Sequence, residues 1–284
     1  MPETFVIVDG NSLMHRAFHA LPPLESADGV YTNAVFGFLS MLLKVIADEK
    51  PDYLAVAFDL HGPTFRHADF GAYKAGRKPT APELRPQFDL VRECLTAMGV
   101  RQLTCPSFEA DDILGTMARR CEEAGVAALL VTGDRDSMQL VSEGTTVLYT
   151  RRGVSDVVRY TPDRVLEDFG VTPAQIPDLK GLMGDASDNI PGVPGIGEKT
   201  AVKLLSAYGT IENAFAHAAD DLKGKQRERM LDGQASGLMS KKIATITRAV
   251  PLDDVALEDC RLGDLSGALP IFERLGLRLS LIHI

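Results

Sequence analysis

The clearest pattern along this chain is a series of short, continuous apolar runs separated by longer segments in which apolar residues recur at helical spacing. Residues 5–8, 53–58 and 127–132 form such runs, and the more mixed segments 100–103 and 145–149 continue the same alternation with helices. Continuous apolar runs of this length are typical of strands that are buried on both faces of a parallel sheet. We therefore predict five strands at these positions.

The segments between the runs predict helices over 34–46, 83–98 and 109–124, and the last two are each followed by a glycine. Strands that alternate with helices predict an α/β fold with a central, mostly parallel sheet flanked by helices. From about residue 176 the chain changes to helical segments and glycine-rich turns. We therefore divide it into an α/β core over 1–175 and a helical region over 176–284.

Nine acidic residues stand out because they occur in short clusters where an apolar run ends or a helix begins. They are Asp9, Asp59, Glu109, Asp111, Asp112, Asp134, Asp136, Asp185 and Asp188. The chain has 39 acidic and 30 basic residues, so without these nine the two charges would balance. A pair of like charges about 4 Å apart costs roughly 4 kcal/mol at an effective dielectric constant near 20. Such a cluster favours hard divalent cations.

The predicted topology brings part of this set together. Asp9, Asp59, Asp134 and Asp136 follow predicted parallel strands. The ligand site of such a sheet lies outside the carboxyl ends of its strands, so we expect these side chains to converge.

Each acidic cluster also has a simpler interpretation, which the residues alone leave open. Asp9 and Asp59 are common turn residues, and 132–136 fits a polar loop. The acids of 109–112 fit the capping of a helix N-terminus, although three acids in four positions exceed what capping needs. Two acids three apart, Asp185 and Asp188, precede the glycine-rich turn.

Two further segments suggest contact with phosphate. Residues 61–85 are locally basic, with aromatic residues interleaved, and fit either a solvated loop or a mobile basic flap over the carboxylates. The glycine-rich turn over 190–197 leads into a predicted helix over 198–208 that carries Lys199 and Lys203. It fits either a plain helical hairpin or a backbone phosphate site of the helix-hairpin-helix type.

The whole chain excludes some classes of protein. The four cysteines form no C-x-x-C pair and no zinc spacing with histidine, which favours reduced thiols in a cytosol. Residues 34–47 form the longest apolar segment, but it contains Lys44 and is too short to span a bilayer, and the N-terminus resembles no leader. The pI near 5.2 argues against nucleic acid unless bound cations offset the acid locally. We assign no chemistry to the six histidines.

Taken together, these segments resemble the 5′-nuclease (flap endonuclease) family. The resemblance is strongest to the branch that forms the N-terminal exonuclease domain of bacterial DNA polymerases. The resemblance lies in FVIVDGNSLMHRAFHALP, TNAVFGFLSMLLK, FDLHGPTFRH, YKAGRKPTAPELRPQ, FEADDILGTMA, TGDRDSMQL and LKGLMGDASDNIPGVPGIGEKTA. These motifs occur in the family's order and cover most of residues 5–208.

The resemblance implies a PIN-like 5′-nuclease fold with a helical arch at about 61–92 and a helix-hairpin-helix-like subdomain. It implies two divalent cations, Mg²⁺ or Mn²⁺. The first group of ligands would be Asp9, Asp59, Glu109, Asp111 and Asp112. The second group would be Asp134, Asp136, Asp185 and Asp188. Lys74 and Arg77 would contact the scissile phosphate, and Lys180 would lie near the site.

The resemblance further implies a hydrolase that cuts DNA near a 5′ flap, nick or free 5′ end, and RNA–DNA hybrids as well, leaving 5′-phosphate and 3′-hydroxyl ends. We expect a monomer in the bacterial cytosol or nucleoid, away from membranes, with a polymerase domain in cis or in trans and a K⁺ ion at the 192–197 hairpin. The DNA contacts would be Arg66, Tyr73, Lys78, Gly192, Gly195, Gly197, Lys199, Thr200 and Lys203.

Two other functions remain open from the sequence. A junction-binding module without catalysis is the first, but a binder of a polyanion does not need nine clustered acids. A nuclease that acts mainly on RNA primers is the second. The last residues, 279–284, depart from the family pattern, which leaves open whether the chain is a complete nuclease or a part of a polymerase.

Overall fold

The fold is built on a six-stranded sheet, seen in a computed structural model that describes residues 2–152 and 156–277. The strand order is β3-β2-β1-β4-β5-β6. The strands are β1 (Thr4–Asp9), β2 (Tyr53–Ala57), β3 (Arg101–Leu103), β4 (Ala127–Thr132), β5 (Thr145–Arg152) and β6 (Asp156–Tyr160). The first five are parallel, and β6 pairs antiparallel with β5 at the edge.

Side chains along the central strands alternate between two apolar cores. Phe5 and Ile7 of β1 face one core, and Val6 and Val8 face the other, all fully buried. A strand that is buried on both faces needs apolar residues at every position, which explains the continuous apolar runs. All five predicted strands are confirmed, whereas β6 was not predicted because its sequence, DVVRY, is short, mixed and half-exposed.

Helices cover both faces of this sheet. Those of the first part are α1 (Gly10–Ala20), α2 (Asn33–Glu49), α3 (Phe65–Asp69), α4 (Arg85–Ala97), α5 (Ala110–Ala124) and α6 (Pro162–Phe169). The helices predicted over 34–46, 83–98 and 109–124 are confirmed as α2, α4 and α5. Over 61–92, the segment expected to form an arch, the short helix α3 and the start of α4 are joined by turns and irregular chain.

The second part is helical, as predicted. Its helices are α7 (Ile176–Met183), α8 (Glu198–Tyr208), α9 (Ile211–Asp221), α10 (Gly224–Asp232), α11 (Gln234–Ala244) and α12 (Leu269–Arg274). Helices α7 and α11 approach closely through glycines, since a Cβ on Gly181 would lie 2.9 Å from Lys241 Cβ and 3.0 Å from the carbonyl oxygen of Gly237. Apolar residues of α7, α8 and α9 share one core with the α5 face of the sheet. No helix in the two described stretches is long and apolar enough to cross a membrane.

Candidate metal centre and nucleic-acid interface

A cavity of about 960 Å³ opens at the carboxyl ends of the parallel strands. Five of the nine predicted acids line it, together with the basic residues Lys74, Arg77 and Lys78 from the segment between α3 and α4. The acids are Asp9, Asp59, Glu109, Asp111 and Asp134. The convergence expected from the sheet topology is therefore present in the structure for the strand-end residues Asp9, Asp59 and Asp134.

Asp9 ends β1 and caps helix α1. One carboxylate oxygen accepts a hydrogen bond from the backbone N–H of Ser12 at 2.9 Å, and the other accepts from the Thr132 hydroxyl at 2.9 Å. Burial, followed by the charge of Asp59, raises the pKa of Asp9 to about 7. This carboxylate is thus fixed in place but costs free energy to ionise without a cation nearby.

Asp59, Asp111 and Asp134 complete a cluster around Asp9. Asp59 accepts from the backbone N–H of Ala110 at 2.7 Å, and burial raises its pKa. Burial, with the charges of Asp134 and Asp9 next, raises the pKa of Asp111 well above its ordinary range. Within the described residues these four carboxylates form no salt bridge. They differ from the predicted first group, which lacked Asp134.

Lys180 organises a second group. Its ammonium lies 2.6 Å from a carboxylate oxygen of Asp136 and also contacts Asp185. Burial and the charge of Asp134 raise the pKa of Asp136 to about 6 in spite of the lysine. Burial opposes the ionisation of Asp185, but Lys180 and Ser187 bond to its carboxylate and lower its pKa overall. The lysine therefore offsets half of the negative charge of a pair of acids that was predicted to bind an ion.

The basic segment is docked onto the remaining acids. Lys74 Nζ lies 2.8 Å from a carboxylate oxygen of Glu109, and Arg77 Nη2 lies 2.5 Å from one of Asp188. Burial alone would lower the pKa of Lys74, but Glu109 raises it above its ordinary value. The backbone N–H of Lys74, at a left-handed φ of 56°, donates to the carbonyl of Asp188. A strained backbone of this kind is common where function requires it.

Two residues that were predicted to touch DNA, Arg66 and Tyr73, are buried in this structure. Arg66 is 2% exposed and makes a two-pronged ion pair with Asp112, at 2.7 and 2.8 Å. Tyr73 is 4% exposed, and its hydroxyl donates to Glu109 at 3.0 Å. Neither side chain has a surface that a base or phosphate can reach.

The Arg66 pair also changes the assignment of Asp112. Its carboxylate, fully buried, accepts from both guanidinium nitrogens, from the backbone N–H of Glu109 at 3.1 Å and from that of Thr247 at 3.0 Å. With these four bonds both oxygens are occupied, so Asp112 has no free lone pair for an ion. Asp112 and Glu109 form the capping box of α5, which is the simpler interpretation for this pair.

The predicted ligands differ in whether they already have a basic partner. Among the described residues, no three His, Cys, Asp or Glu side chains are already arranged to hold a metal ion. Glu109, Asp136, Asp185 and Asp188 each direct oxygens at a lysine or arginine. The ligand set therefore remains a prediction, and Asp9, Asp59, Asp111 and Asp134 are its members that are free of basic partners.

The polar face of α1 also lines the cavity, and the sequence analysis missed it. Ser12, His15, Arg16 and His19 lie on this face, opposite the buried Leu13. Burial, followed by the nearby charges of His19 and Arg77, lowers the pKa of His15. The signal was present, because positions 12, 15, 16 and 19 have the three- and four-residue spacing of one helix face.

The glycine-rich turn leads into α8, and its residues divide into buried and exposed ones. Gly192 is buried, its N–H donates to the Ser240 hydroxyl at 3.0 Å, and a Cβ there would lie 2.3 Å from the nitrogen of Gly184. Its role as a DNA contact stays a prediction, since both its N–H and its carbonyl already have partners within the chain. Gly197 caps α8, and a Cβ there would meet nothing within 4 Å.

The exposed part of this hairpin carries positive charge. Lys199 and Lys203 are exposed on α8, four residues apart, and Thr200 between them is half-buried. Gly195 has a φ of +80°, and its carbonyl accepts from Arg229 at 2.9 Å. The helix N-terminus and these lysines present a surface suited to anions.

Comparison with known proteins identifies the family to which this chain belongs. Residues 4–170 match the family model "5′-3′ exonuclease, N-terminal resolvase-like domain", and residues 171–267 match "5′-3′ exonuclease, C-terminal SAM fold". The chain is 48% identical over 281 residues to DNA polymerase I of Bacillus caldotenax and 48% identical over 249 residues to that of Bacillus subtilis (strain 168). These matches cover 97% and 87% of this chain but 32% and 28% of those proteins.

Solved structures share the fold. T5 5′-exonuclease with bound zinc superposes with a TM-score of 0.73 at 19% identity, covering 97% of this chain and 99% of that one. The catalytic core of Rad2 in complex with DNA substrate superposes with a TM-score of 0.58 at 17% identity, covering 96% of this chain and 92% of that one. The chain thus has the architecture of these proteins and spans about a third of the length of its polymerase relatives.

Proposed function

The chain belongs to the 5′-3′ exonuclease family, and from this premise we propose that it is a metal-dependent nuclease that hydrolyses phosphodiester bonds near 5′ ends or flaps of DNA. The observation that carries the proposal is the cluster of Asp9, Asp59, Asp111 and Asp134 at the strand ends. These acids face a cavity and have no basic partner among the described residues. We propose 5′-phosphate and 3′-hydroxyl products, and RNA primers as further substrates.

The cluster fits hard divalent cations such as Mg²⁺ or Mn²⁺. Such cations prefer carboxylate oxygens, and a bound cation would offset the burial and the neighbouring carboxylates that raise the pKa values of Asp9 and Asp111. We propose the cluster as one site and Asp136, Asp185 and Asp188 as donors to a second. Bound cations of this kind activate water and stabilise the attacking and leaving oxygens of an in-line displacement.

The basic side chains that line the cavity have a separate role. Lys74 and Arg77 line the cavity and pair with Glu109 and Asp188, while Lys78 lies beside them. A phosphodiester entering the cavity competes with those carboxylates for the same N–H groups. In the proposal, Lys74 and Arg77 bind the scissile phosphate and oppose the negative charge that develops on its oxygens. Lys180 keeps Asp136 and Asp185 ionised and close together.

The hairpin and α8 form the second contact in this proposal. Gly195, Gly197, Lys199, Thr200 and Lys203 would hold the duplex through its backbone phosphates. Phosphate contacts position a protein on DNA without selecting a sequence. Specificity would then come from the shape of the junction and from the free 5′ end.

The predicted K⁺ ion would meet hairpin carbonyls that already accept hydrogen bonds. The carbonyl of Gly192 already accepts from the Ser236 hydroxyl at 2.6 Å, and that of Gly195 accepts from Arg229 at 2.9 Å. Each of these carbonyls keeps a second lone pair that could face an ion. A K⁺ ion at the 192–197 hairpin therefore remains part of the proposal.

The setting of this activity is also proposed. The curated relatives are DNA polymerases of which this chain matches about a third, so we propose a polymerase domain in cis or in trans as the partner. A nuclease of this kind would act as a monomer in the bacterial cytosol. We propose that the chain divides after residue 175. In this proposal the α/β core carries the catalytic residues, and the helical region binds the DNA duplex.

Substitution of a clustered acid tests the proposal. Asp111→Asn removes one charge from the cluster and preserves the shape of the side chain. We expect turnover of a 5′-flap DNA to fall at least about 100-fold, with flap binding in Ca²⁺ nearly unchanged. Asp163→Asn, an exposed acid in the first turn of α6, is the matched control. Equal turnover in the two variants would exclude Asp111 as a ligand.

A further inference from the structure

A short segment links the helical region to the α/β core. This strap, residues 243–247, comprises the end of α11 and the residues that follow it. Arg66 Nη2 donates to the carbonyl of Thr245 at 3.1 Å, and Asp112 accepts from the backbone N–H of Thr247 at 3.0 Å. Arg66 and Asp112 form the buried pair at the N-terminus of α5, so the strap is bonded to the helix that carries Asp111.

Gln139 binds the strap from the other side of the site. It lies in the short 3-10 helix Asp136–Leu140, directly after the loop of Asp134. Its side-chain N–H₂ donates to the carbonyls of Ala244 and Asp136, each at 3.0 Å, and its carbonyl accepts from the backbone N–H of Ile246 at 2.8 Å. One amide therefore ties the strap to the backbone of a site carboxylate.

The opposite end of α11 is bonded to the hairpin. Ser236 Oγ donates to the carbonyl of Gly192 at 2.6 Å, and Ser240 Oγ accepts from the Gly192 N–H at 3.0 Å. The two serines are four residues apart and lie on one face of the helix. Together they bond both the N–H and the carbonyl of Gly192, so a displacement of the hairpin would also displace α11.

We propose that Gln139 is a positioning residue that couples the duplex-binding hairpin to the carboxylate loop through α11 and the strap. The proposal rests on the proposed function, since it assigns duplex DNA to the hairpin and chemistry to the carboxylates. When duplex occupies the hairpin, α11 and the strap become ordered together, and the Gln139 amide fixes the loop 133–136. The coupling runs through contiguous hydrogen bonds and one rigid helix, which is a physical route between the two sites.

Hydrogen exchange measures this coupling without any catalysis. We would follow amide protection in wild type and in Gln139→Met, a substitution of similar size without hydrogen bonds, with and without a blunt DNA duplex in EDTA. In wild type, we expect the duplex to slow exchange at the hairpin and also at 133–140. In Gln139→Met, hairpin protection should persist while the added protection of 133–140 is lost.

Gln175→Met is the matched control. Gln175 is also half-buried and also bridges two elements, donating to the carbonyl of Gly209 at 2.7 Å and accepting from the N–H of Thr172 at 3.0 Å. Its side-chain hydrogen bonds go to Thr172, Leu205 and Gly209, and within the described residues none goes to the strap or to residues 133–136. We expect this variant to lose thermal stability to a similar extent and to keep the duplex-dependent protection of 133–140.

Kinetics supply a second readout. For flap DNA, the single-turnover rate of Gln139→Met should fall on the order of 10-fold to 100-fold, with the duplex Kd within about twofold of wild type. Gln175→Met should keep the wild-type rate. Equal losses of rate in the two variants, or protection of 133–140 that survives in Gln139→Met, would overturn the coupling.

The failure of this inference is distinguishable from failure of the proposed function. If the duplex leaves exchange at the hairpin unchanged in wild type, the proposed duplex contact itself is wrong, and the coupling is overturned with it. If the hairpin is protected but 133–140 is not, the duplex contact stands and only the coupling is overturned.

Discussion

The ammonium of Lys180 lies 2.6 Å from a carboxylate oxygen of Asp136. It also contacts Asp185, and the side chains of all three residues are at most 17% exposed. The lysine therefore occupies the space between two acids that we assign to the second cation. In the absence of that cation, Lys180 supplies the positive charge that lets both carboxylates ionise in a partly buried place.

Removing this lysine should make the fold depend on added cation. We expect Lys180→Met to lose about 3 kcal/mol of unfolding free energy in EDTA, because two carboxylates are left unpaired. Addition of Mg²⁺ should recover more stability in this variant than in wild type. Thermal unfolding with and without Mg²⁺ measures both effects.

Lys241→Met is the control for this prediction. Lys241 also lies between two acids, 2.8 Å from Asp178 and 2.8 Å from Glu212, but away from the cavity. This variant should lose stability and gain no more from Mg²⁺ than wild type does. The prediction would be wrong if Mg²⁺ stabilised both variants equally.

The clustered acids predict an unusual dependence of stability on pH in EDTA. Burial and the charge of Asp59 raise the pKa of Asp9 from 3.8 to about 7, so the folded chain binds a proton that the unfolded chain releases. This contribution to stability is complete below pH 3.8 and is lost as the pH rises through about 7. The unfolding free energy should fall by on the order of 1 kcal/mol per pH unit in that window.

Comparison with Asp9→Asn isolates this effect. Asn retains the helix-capping role but cannot titrate. His15, whose pKa is lowered mainly by burial, acts in the opposite direction in both proteins and cancels in the comparison. Urea unfolding at pH 5 and pH 7.5 in EDTA should show a clearly flatter profile for Asp9→Asn. Identical slopes would mean that Asp9 is an ordinary ionised carboxylate.

The sequence predicted the parts of the site that follow from parallel-strand topology. Asp9 and Asp134 converge because each follows a central strand, and such strands end at the same edge. The burial of Arg66 could not be predicted from the residues, because its hydrogen-bond partners are distant in sequence. Asp112 lies 46 positions away along the chain, and Ile243 lies 177 positions away. A locally basic segment looks the same whether its arginine faces solvent or is buried in an ion pair.

Two other features of the site are visible in the local pattern, and one is not. The polar residues of α1 recur on one helix face, and that face lines the cavity. The acids Glu109 and Asp112 have the spacing of a capping box, and the structure forms one. Lys180 lies between Asp136 and Asp185 because of the way α7 packs against the sheet. No local sequence pattern encodes that packing.

The hairpin offers a test of duplex contact that leaves the fold intact. Gly197 has an ordinary φ of −99°, and a Cβ there would meet nothing within 4 Å, so Gly197→Ala should unfold at the wild-type temperature. If a phosphate approaches this backbone, the added methyl group should cost about 1 kcal/mol, or roughly a fivefold rise in duplex Kd. Fluorescence anisotropy with a labelled duplex measures the change.

Gly263→Ala is the control for the hairpin substitution. Gly263 also has open space around its Cα and lies outside the hairpin and the cavity. Its variant should match wild type in both stability and duplex Kd. If Gly197→Ala binds duplex as tightly as Gly263→Ala does, the N-terminus of α8 is not a phosphate contact.

The most direct test of the central claim is cleavage of a 5′-labelled flap DNA by the wild-type chain in Mg²⁺ and in EDTA. The proposed function predicts that the flap is cut in Mg²⁺, leaving a 5′-phosphate on the downstream strand, and that EDTA abolishes the reaction. Cleavage that persists in EDTA would contradict the role of the clustered carboxylates. A flap that is bound but stays intact in Mg²⁺ would instead identify the chain as a junction-binding module.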